Sequence, residues 1–423
     1  MMRGGWIRWR SRLPWLIVTV ALVLRLGYAG SQGLSRPTPL GSDETEYDTY
    51  AWNLAQGQGY RGMSPDVSDQ NHLTAYRSPG PSLLYAAVYV VAGHRLAIIR
   101  VLNCLIGAMC CLLIIAVGRR TVGEGAAFAA AAVWAVWPVS IYLSGSLLSD
   151  QLATLTLLWL VLVLLGYAVR PTLNGALFAG FLLGVNLLVH PSRLFLLPML
   201  GLWVVVQFWG SWRAFVMSAL IPIVAVLLLV PWIARNERVF HRFIPFSTMG
   251  GSVLLQGNNR IVATDPEYLG YNVWDTAIPE YADALKAPND EFGRDSVAKR
   301  LATEWIGTHR DRWLPMAIAK IRRGWTPFLQ AHTPLSQRLA MLISWGPVLL
   351  LLLIGFVPLL LKFLRARDPG WLLHAVILHM VALDVVFFGL ARYRYVVEPY
   401  CVLLAAGTVV WLVKQGLRRE AAH

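Results

Sequence analysis

Residues 341–361 read MLISWGPVLLLLLIGFVPLLL and contain no charged side chain. A helix needs roughly 20 predominantly apolar residues to cross the hydrocarbon core of a bilayer. This run meets that length, and we predict a membrane-spanning helix over 338–363. Working outward from it, similar apolar runs recur on both sides along the chain.

The composition of the whole chain agrees with that stretch. Of the 423 residues 57% are hydrophobic and 14% charged, and the mean hydropathy is +0.54. A soluble globular protein is about a quarter charged. The net charge of +14 could suggest nucleic acid, but Arg and Lys cluster at the ends of apolar runs, as residues that set membrane topology do. We therefore predict an all-α integral membrane protein without a nucleic-acid partner.

The cysteines and the N-terminal segment add little chemistry. Cys104, Cys110, Cys111 and Cys401 all lie inside apolar runs, so we expect small core residues rather than a disulfide framework or a metal site. The first apolar run has arginines before it and no clear cleavage site of small residues after it. It is interpreted as a retained first span.

The positions of the cations decide how many apolar runs cross the membrane. If the short run 80–93 lies along the outer interface, Arg119 and Arg120 fall on the cytoplasmic side, where cations concentrate. If it crosses, both move outside. The charge pattern thus favours both termini in the cytoplasm and ten spans, at about 13–30, 96–118, 125–143, 150–168, 174–190, 193–209, 214–233, 338–363, 370–390 and 395–413.

This topology makes 1–423 a single polytopic membrane domain with two large extracytoplasmic loops, 31–95 and 234–335. In the second loop, 299–325 has helical periodicity with Trp305, Trp313 and Trp325 interleaved with cations. This is typical of a helix at the headgroup level, and lipid-phosphate binding by the cations is the alternative. The first loop is acidic; its acids are Asp43, Glu44, Glu46, Asp48, Asp66 and Asp69.

Carboxylates near the membrane edge are the first candidate functional residues. Asp43 and Glu44 could accept a proton or bind a metal, or they could simply favour the first turn of a helix. Asp150 opens the fourth predicted span, where it could cap the helix or act as a second site acid.

Three further features could carry function. His190 and Arg193 form a turn that could be structural or could meet an anion. Arg392 and Arg394 lie in an outer turn, where cations are unexpected, and Arg forms forked hydrogen bonds with phosphate; snorkelling to headgroups is the alternative. Arg25 and Asp384 lie within predicted spans, where charges are costly, and they could pair with each other or elsewhere.

Several short motifs then occur in a characteristic order. They are Asp43-Glu44-x-x-Tyr47 with a following Gly57-x-Gly59-Tyr60; Tyr76-Arg77-Ser78-Pro79-Gly80-Pro81; Pro231-Trp232-Ile233-Ala234-Arg235-Asn236; Gly250-Gly251 with Gly257-Asn258-Asn259; and Arg392-Tyr393-Arg394 with Glu398-Pro399. With these motifs the chain resembles bacterial GT-C glycosyltransferases that use polyprenyl-phosphate sugars. This group is related to protein O-mannosyltransferases and to the aminoarabinose transferase of lipid A. One departure is His190-Pro191, where relatives often have Arg-Pro.

The resemblance implies a GT-C-like bundle of about ten spans and an inverting transfer of a sugar from a polyprenyl-phosphate donor to an acceptor hydroxyl. The acceptor would be a glycolipid, a cell-envelope glycan or a protein. A phosphate leaving group needs positive charge rather than a proton, so one base with arginines suits the reaction. Asp43 would be that base. A divalent metal, if used, would be held by Asp43, Glu44 or Asp150. The implied substrate-binding residues are Glu44, Tyr47, Arg77, Asp150, His190, Arg193, Asn258, Asn259, Arg392 and Arg394.

Two other functions compete with this interpretation. A lipid-linked sugar flippase or transporter would show internal repeats, broken helices and charges near the bilayer midplane; Asp384 and Arg25 offer limited support, and no repeat is evident. A non-catalytic assembly subunit would use the loops only for binding. No nucleotide-binding or hydrolase motif is convincingly present.

Overall fold

The computed structural model of the chain describes residues 2–62, 71–329 and 333–420. Asp66 and Asp69 of the acidic first loop lie outside these residues. The regular secondary structure of the described chain is helical apart from one short antiparallel pair, β1 (Arg61–Gly62) and β2 (His72–Leu73). Its α-helices are α1 (Met2–Ser31), α2 (Asp43–Ala55), α3 (Gly80–Ala92), α4 (Leu96–Thr121), α5 (Glu124–Ala135), α6 (Pro138–Ser144), α7 (Asp150–Val169), α8 (Leu173–Val189), α9 (Leu196–Gln207), α10 (Trp212–Ser218), α11 (Leu220–Phe240), α12 (Gly250–Gly257), α13 (Arg260–Thr264), α14 (Ala282–Lys286), α15 (Glu291–Thr308), α16 (Arg310–Trp325), α17 (Leu335–Arg365), α18 (Leu372–Val386), α19 (Ala391–Arg394) and α20 (Glu398–Glu420).

The membrane-spanning class is confirmed, but the count of ten is not. Among the described residues, 7 helical segments are long and apolar enough to cross a bilayer, and the bent pair α5–α6 makes 8. The predicted spans 174–190 and 193–209 correspond to shorter apolar helices. The stretch 80–93 forms α3, whose 13 residues extend about 20 Å, less than the roughly 30 Å hydrocarbon core.

The bend between α5 and α6 explains the intramembrane arginine. The two helices meet at 53°, and Pro138 lacks the N–H that would continue the helix to the Trp134 carbonyl. Arg25 of α1 is fully buried and donates to the carbonyls of Trp134 at 3.2 Å and Ala135 at 3.0 Å, and to Ser140 Oγ at 2.8 Å. Arg25 therefore supplies hydrogen bonds to the backbone carbonyls at the break in the helix. Asp384 does not pair with Arg25 in these bonds; it accepts from Trp325 Nε1 at 2.9 Å.

The bundle core is apolar, and the cysteines belong to it. Buried aromatic rings such as Trp134, Trp203 and Trp345 fill its centre. All four cysteines are buried free thiols, as predicted.

The segment 299–325 is helical as predicted, but it forms two helices, α15 and α16, with a break at His309. Trp313 is exposed, whereas Trp305 and Trp325 are buried. Trp305 and Trp325 pack into apolar cores, so Trp313 is the exposed ring of the three. The position of this segment at the headgroup level stays a prediction.

The two polar segments meet at one end of the bundle. Thr248 N of the second donates to the Ala75 carbonyl of the first at 3.0 Å. Arg235, near the end of α11, donates to the carbonyls of Thr74 at 2.8 Å and Tyr60 at 2.9 Å. These contacts bring the motif that contains Arg77 against the second segment.

Candidate active site

Two acidic residues occupy equivalent positions at the starts of helices. Ser42 caps α2 by accepting from Thr45 N at 3.4 Å, so Asp43 is the first helical residue. Asp150 is likewise the first residue of α7, after Ser149. The partial positive charge at a helix N-terminus favours a carboxylate at both places. Both side chains nevertheless bond to residues from other parts of the chain.

Arginine side chains join these carboxylates into one cluster. Arg392 donates from Nη1 to Asp43 Oδ2 at 2.9 Å and from Nη2 to Asp150 Oδ2 at 3.1 Å. Arg77 donates from Nη2 to Asp43 Oδ1 at 2.7 Å and from Nε to Glu46 Oε2 at 2.5 Å. We call Asp43, Glu46, Arg77, Asp150 and Arg392 the Asp43 cluster. It brings together three regions of the chain that lie far apart in sequence.

Asp43 and Arg392 are only partly shielded from solvent. The Asp43 side chain is 24% exposed and that of Arg392 is 35% exposed. Burial raises the pKa of Asp43, but the charges of Arg77 and Arg392 together lower it by more, so the pKa lies below its usual 3.8. Burial lowers the pKa of Arg77, but Asp43 and Glu46 outweigh it and hold that pKa well above its ordinary value. Asp43 is therefore a carboxylate in the resting protein.

A cavity of about 290 Å³ opens beside the cluster. Its polar lining includes Tyr47, Arg77, His190 and Tyr393. Its apolar lining includes Phe195, Phe246, Val253, Leu383 and Phe387. A molecule with both a charged group and a hydrocarbon chain matches this mixed lining.

The turn after α8 contributes His190 to this cavity. The imidazole Nδ1 shares a hydrogen bond with Ser192 Oγ at 2.7 Å, and the ring meets the Tyr393 ring edge-on at 6.2 Å. Arg193, in contrast, is buried and pairs through Nη1 with His379 Nε2 at 2.7 Å. Of the two candidates in this turn, the structure brings His190 to the cavity and holds Arg193 inside the bundle.

Four further predicted residues are held by the protein itself. Glu44 is buried and accepts from Leu147 N at 3.1 Å. Arg394 is fully buried and donates to Glu398 Oε1 at 2.9 Å. Asn258 and Asn259 lie at helix ends in the second polar segment, and each bonds to neighbouring protein groups.

The two asparagines have separate structural partners. Asn258 Oδ1 accepts from Lys320 Nζ at 2.8 Å, and its Nδ2 donates to the Val386 carbonyl at 2.9 Å. Asn259 caps α13 by accepting from Val262 N at 3.0 Å. These bonds fasten the second polar segment to the end of α18 and cap α13. None of them joins a residue of the Asp43 cluster.

Neither Glu46 nor Tyr393 was among the predicted site residues. Glu46 lies three residues after Asp43, a spacing that puts both side chains on one face of a helix. That signal was present in the sequence. Tyr393 owes its position to the turn between α18 and α20, and no local pattern indicates its orientation.

A divalent cation has no evident site among the residues that the structure describes. No group of three or more His, Cys, Asp or Glu side chains converges there. Asp43 and Asp150, two of the acids proposed as ligands, are bridged by the Arg392 guanidinium. A cation already present in the protein thus satisfies both carboxylates.

Comparisons with known proteins agree with this architecture. Residues 76–234 match a family model described as dolichyl-phosphate-mannose-protein mannosyltransferase. The Archaeoglobus fulgidus oligosaccharyltransferase in its apo form has a TM-score of 0.61 at 14% identity, with 98% of this chain and 52% of that chain covered. Oligosaccharyltransferase AglB from the same organism, in complex with an inhibitory peptide and a dolichol-phosphate, has a TM-score of 0.58 at 14% identity and the same coverage.

A third structure is less similar in three dimensions. ArnT from Cupriavidus metallidurans bound to undecaprenyl phosphate has 16% identity, covers 96% of this chain and 78% of that chain, and has a TM-score of 0.43. This chain spans about half the length of the archaeal oligosaccharyltransferase. A search of curated protein sequences finds no match. The similarity to the archaeal enzyme confirms the predicted GT-C fold, and the family match agrees with it.

Proposed function

We propose that this chain, a multi-pass membrane protein of the GT-C glycosyltransferase group, is an inverting transferase that uses a polyprenyl-phosphate sugar. The acceptor is a hydroxyl of a glycolipid, a cell-envelope glycan or a protein. One observation carries the proposal: a carboxylate, Asp43, is bonded to two arginines, and one of them, Arg77, also lines a cavity whose other walls are largely apolar.

The residue types fit a single displacement at the sugar. The acceptor oxygen attacks the anomeric carbon while the bond between that carbon and the phosphate oxygen breaks. The acceptor proton passes to Asp43, and polyprenyl phosphate leaves with the bonding electron pair. Arg77 and Arg392 stabilise the negative charge that develops on the phosphate. Attack opposite the leaving group inverts the anomeric configuration.

The resting ion pairs suggest how Asp43 becomes basic enough. While Arg77 and Arg392 both contact it, its pKa is depressed, which makes it a weak base. A bound phosphate would compete for the two guanidinium groups and weaken their contacts with Asp43. The pKa of the carboxyl would then rise towards its usual range or above it. Proton acceptance is thereby coupled to the presence of the donor.

The comparisons support a lipid-phosphate donor without identifying it. The matching family model is named for a mannosyltransferase that uses dolichyl-phosphate mannose. An archaeal structure with the same fold was determined with dolichol-phosphate and a peptide. We infer by analogy that this chain takes a polyprenyl phosphate in its cavity.

The positive charges favour an extracytoplasmic site. Arg119 and Arg120 lie in the last turn of α4, whereas Arg100, near the start of this helix, lies by Glu44 of α2. If the chain begins in the cytoplasm, Arg119 and Arg120 are cytoplasmic, which accords with the positive-inside pattern. Both polar segments, 31–95 and 234–335, would then be extracytoplasmic. Accessibility labelling of a single cysteine introduced at Leu40, which is 92% exposed, tests this orientation in intact cells.

A transfer assay tests the main proposal. Purified protein would be incubated with a labelled polyprenyl-phosphate sugar and a membrane extract as the acceptor source. We expect release of polyprenyl phosphate together with a labelled product. Translocation of the intact donor across a vesicle membrane without cleavage would instead support a flippase, and binding alone would support an assembly subunit.

The bent helix pair α5–α6 is a feature that favours a transporter, because broken helices often form ion sites. At this bend, however, Arg25 donates to the Trp134 and Ala135 carbonyls. A cation would have to displace a buried guanidinium to reach them. We therefore favour the transferase.

A further inference from the structure

Glu291 joins the two polar segments of the chain. It is the first residue of α15 in the second segment, and its side chain is 2% exposed. The carboxylate accepts from Thr74 Oγ1 at 2.6 Å and from Ala75 N at 2.6 Å, one bond to each oxygen. Both partners belong to the first segment, directly after β2. Hydrogen bonds to a buried carboxylate are among the stronger ones in proteins.

Other bonds extend this hold on the first segment. Thr74 Oγ1 also accepts from Tyr76 N at 2.9 Å. The Ala75 carbonyl accepts from Thr248 N at 3.0 Å. The backbone at 74–76 is thus fixed from both sides by the second segment. The next residue in the chain is Arg77.

Arg77 needs accurate placement because it serves two carboxylates at once. Its Nη2 lies 2.7 Å from Asp43 Oδ1 and its Nε lies 2.5 Å from Glu46 Oε2. Hydrogen bonds weaken steeply when geometry departs from these values. A displacement of about 1 Å in a positioning group can cost on the order of a hundredfold in rate.

We propose that Glu291 is a positioning residue that holds Arg77 against Asp43, so that the site is assembled only when the second polar segment is docked on the first. The role in transfer rests on the proposed function; the positioning itself does not. Glu291 contacts neither the cavity lining nor the carboxylates of the Asp43 cluster in the bonds that it forms. It acts through the backbone that leads to Arg77.

The chemistry of the two bonds defines a useful pair of variants. Glu291→Ala removes both acceptors and leaves the Ala75 N–H and the Thr74 hydroxyl buried. Glu291→Gln can retain both bonds, because its carbonyl accepts from Ala75 N and its amide donates to Thr74 Oγ1. The matched control is Asp290→Ala, which removes the N-cap of the same helix, the bond that Asp290 accepts from Gly293 N, without touching the first segment.

Hydrogen exchange of the full-length protein measures the positioning directly. In Glu291→Ala we expect exchange of the amides at 74–77 to accelerate about tenfold or more, as the loss of one charge-assisted hydrogen bond predicts. Glu291→Gln and Asp290→Ala should stay near wild type in this peptide. Unchanged exchange in Glu291→Ala would overturn the proposal. If that variant does not accumulate, Thr74→Val removes the hydroxyl bond to Glu291 and the bond that this hydroxyl accepts from Tyr76 N. The Ala75 amide, still bonded to Glu291, should then accelerate less than in Glu291→Ala.

Donor kinetics then separate positioning from general destabilisation. Glu291→Ala should raise KM for a labelled polyprenyl-phosphate sugar about tenfold, with recovery in Glu291→Gln. In an Arg77→Ala background the same substitution should have little further effect, because both act through one group. Additive losses, or an equal loss in Asp290→Ala, would contradict positioning. If wild type shows no transfer while exchange still responds to Glu291→Ala, the proposed function fails and the positioning stands.

Discussion

Arg392 and Arg394 are two residues apart in the same short helix, yet they lie in opposite environments. Arg392 is 35% exposed and bridges Asp43 and Asp150 beside the cavity. Arg394 is fully buried, pairs with Glu398 at 2.9 Å and lies 3.8 Å above the Trp345 ring. Residues two apart on a helix point to different sides. One turn therefore supplies one arginine to the candidate site and one to the bundle core.

The pairing of each arginine suggests what it does. The carboxylates on Arg392 belong to other regions of the chain, and one of them, Asp43, is also bonded to Arg77, which lines the cavity. Because Arg392 is also partly exposed, a ligand anion could compete for its guanidinium. Arg394 and Glu398 are on adjacent turns and are closed off by aromatic rings, and Trp137 Nε1 also donates to Glu398 at 2.6 Å. No ligand reaches them without opening the bundle. We infer a functional role for the first and a structural role for the second.

The largest effect on activity is expected at the shared carboxylate. Asp43→Asn keeps the shape of the side chain but removes the proton acceptor and both ion pairs. General-base catalysis contributes about 10²- to 10⁴-fold, and we expect a loss of this size in transfer rate. The purified variant should be as abundant as wild type. Turnover equal to that of wild type would remove Asp43 from the mechanism.

The next effect concerns stability and tests the buried member of the pair. Arg394→Gln leaves Glu398 buried without its cation, and breaking such a pair costs about 3–5 kcal/mol. We expect a marked fall in Tm in detergent or a failure to accumulate. A stable Arg394→Gln protein that binds donor poorly would show instead that Arg394 contacts substrate.

Arg392→Gln is the matched substitution, and we expect it to lower activity rather than stability. Loss of a charge-assisted contact to phosphate is expected to reduce kcat/KM by about 10- to 100-fold, with little change in Tm. Catalysis needs the ionised form of Asp43, so the acidic limb of the kcat/KM profile should lie below the usual 3.8 of this carboxyl in wild type. Without Arg392 the pKa of Asp43 rises, and the limb should move to higher pH. An acidic limb at the same pH in Arg392→Gln and in wild type would show that Arg392 does not lower the pKa of Asp43.

The smallest effect is expected from chelation. Because the Arg392 guanidinium bridges Asp43 and Asp150, the two acids do not require a divalent cation to coexist. We expect transfer to be unchanged in excess EDTA. Loss of activity that returns with added Mg²⁺ or Mn²⁺ would show that a metal joins the site and that Arg392 moves aside.

Much of this arrangement follows from patterns that lie within short stretches of sequence. Apolar runs predict the helices, and the acidic start of α2 is visible as Ser42 followed by Asp43 and Glu44. The association of Asp43 with Arg392 is different in kind, because 349 residues separate them. Only the order of weak motifs indicated that the two ends of the chain meet.

Side-chain direction is what sequence could not supply. Arg193 and Arg394 have the residue type that suits phosphate, yet their partners, His379 and Glu398, lie within the bundle. Asn258 and Asn259 matched a motif and proved to bond Lys320 and to cap α13. Each outcome depends on tertiary contacts that a local pattern does not encode.

Photo-crosslinking of a diazirine-bearing polyprenyl phosphate, followed by mapping of the labelled peptides, tests the location of the site most directly. We predict labelling at the cavity beside the Asp43 cluster, around Phe195 and Phe387, and a strong reduction in Arg392→Gln but not in a folded Glu124→Gln control at the other end of the bundle. A second apolar groove of about 630 Å³ lies between α5, α17 and α20. Labelling confined to that groove, and indifferent to Arg392, would contradict the assignment.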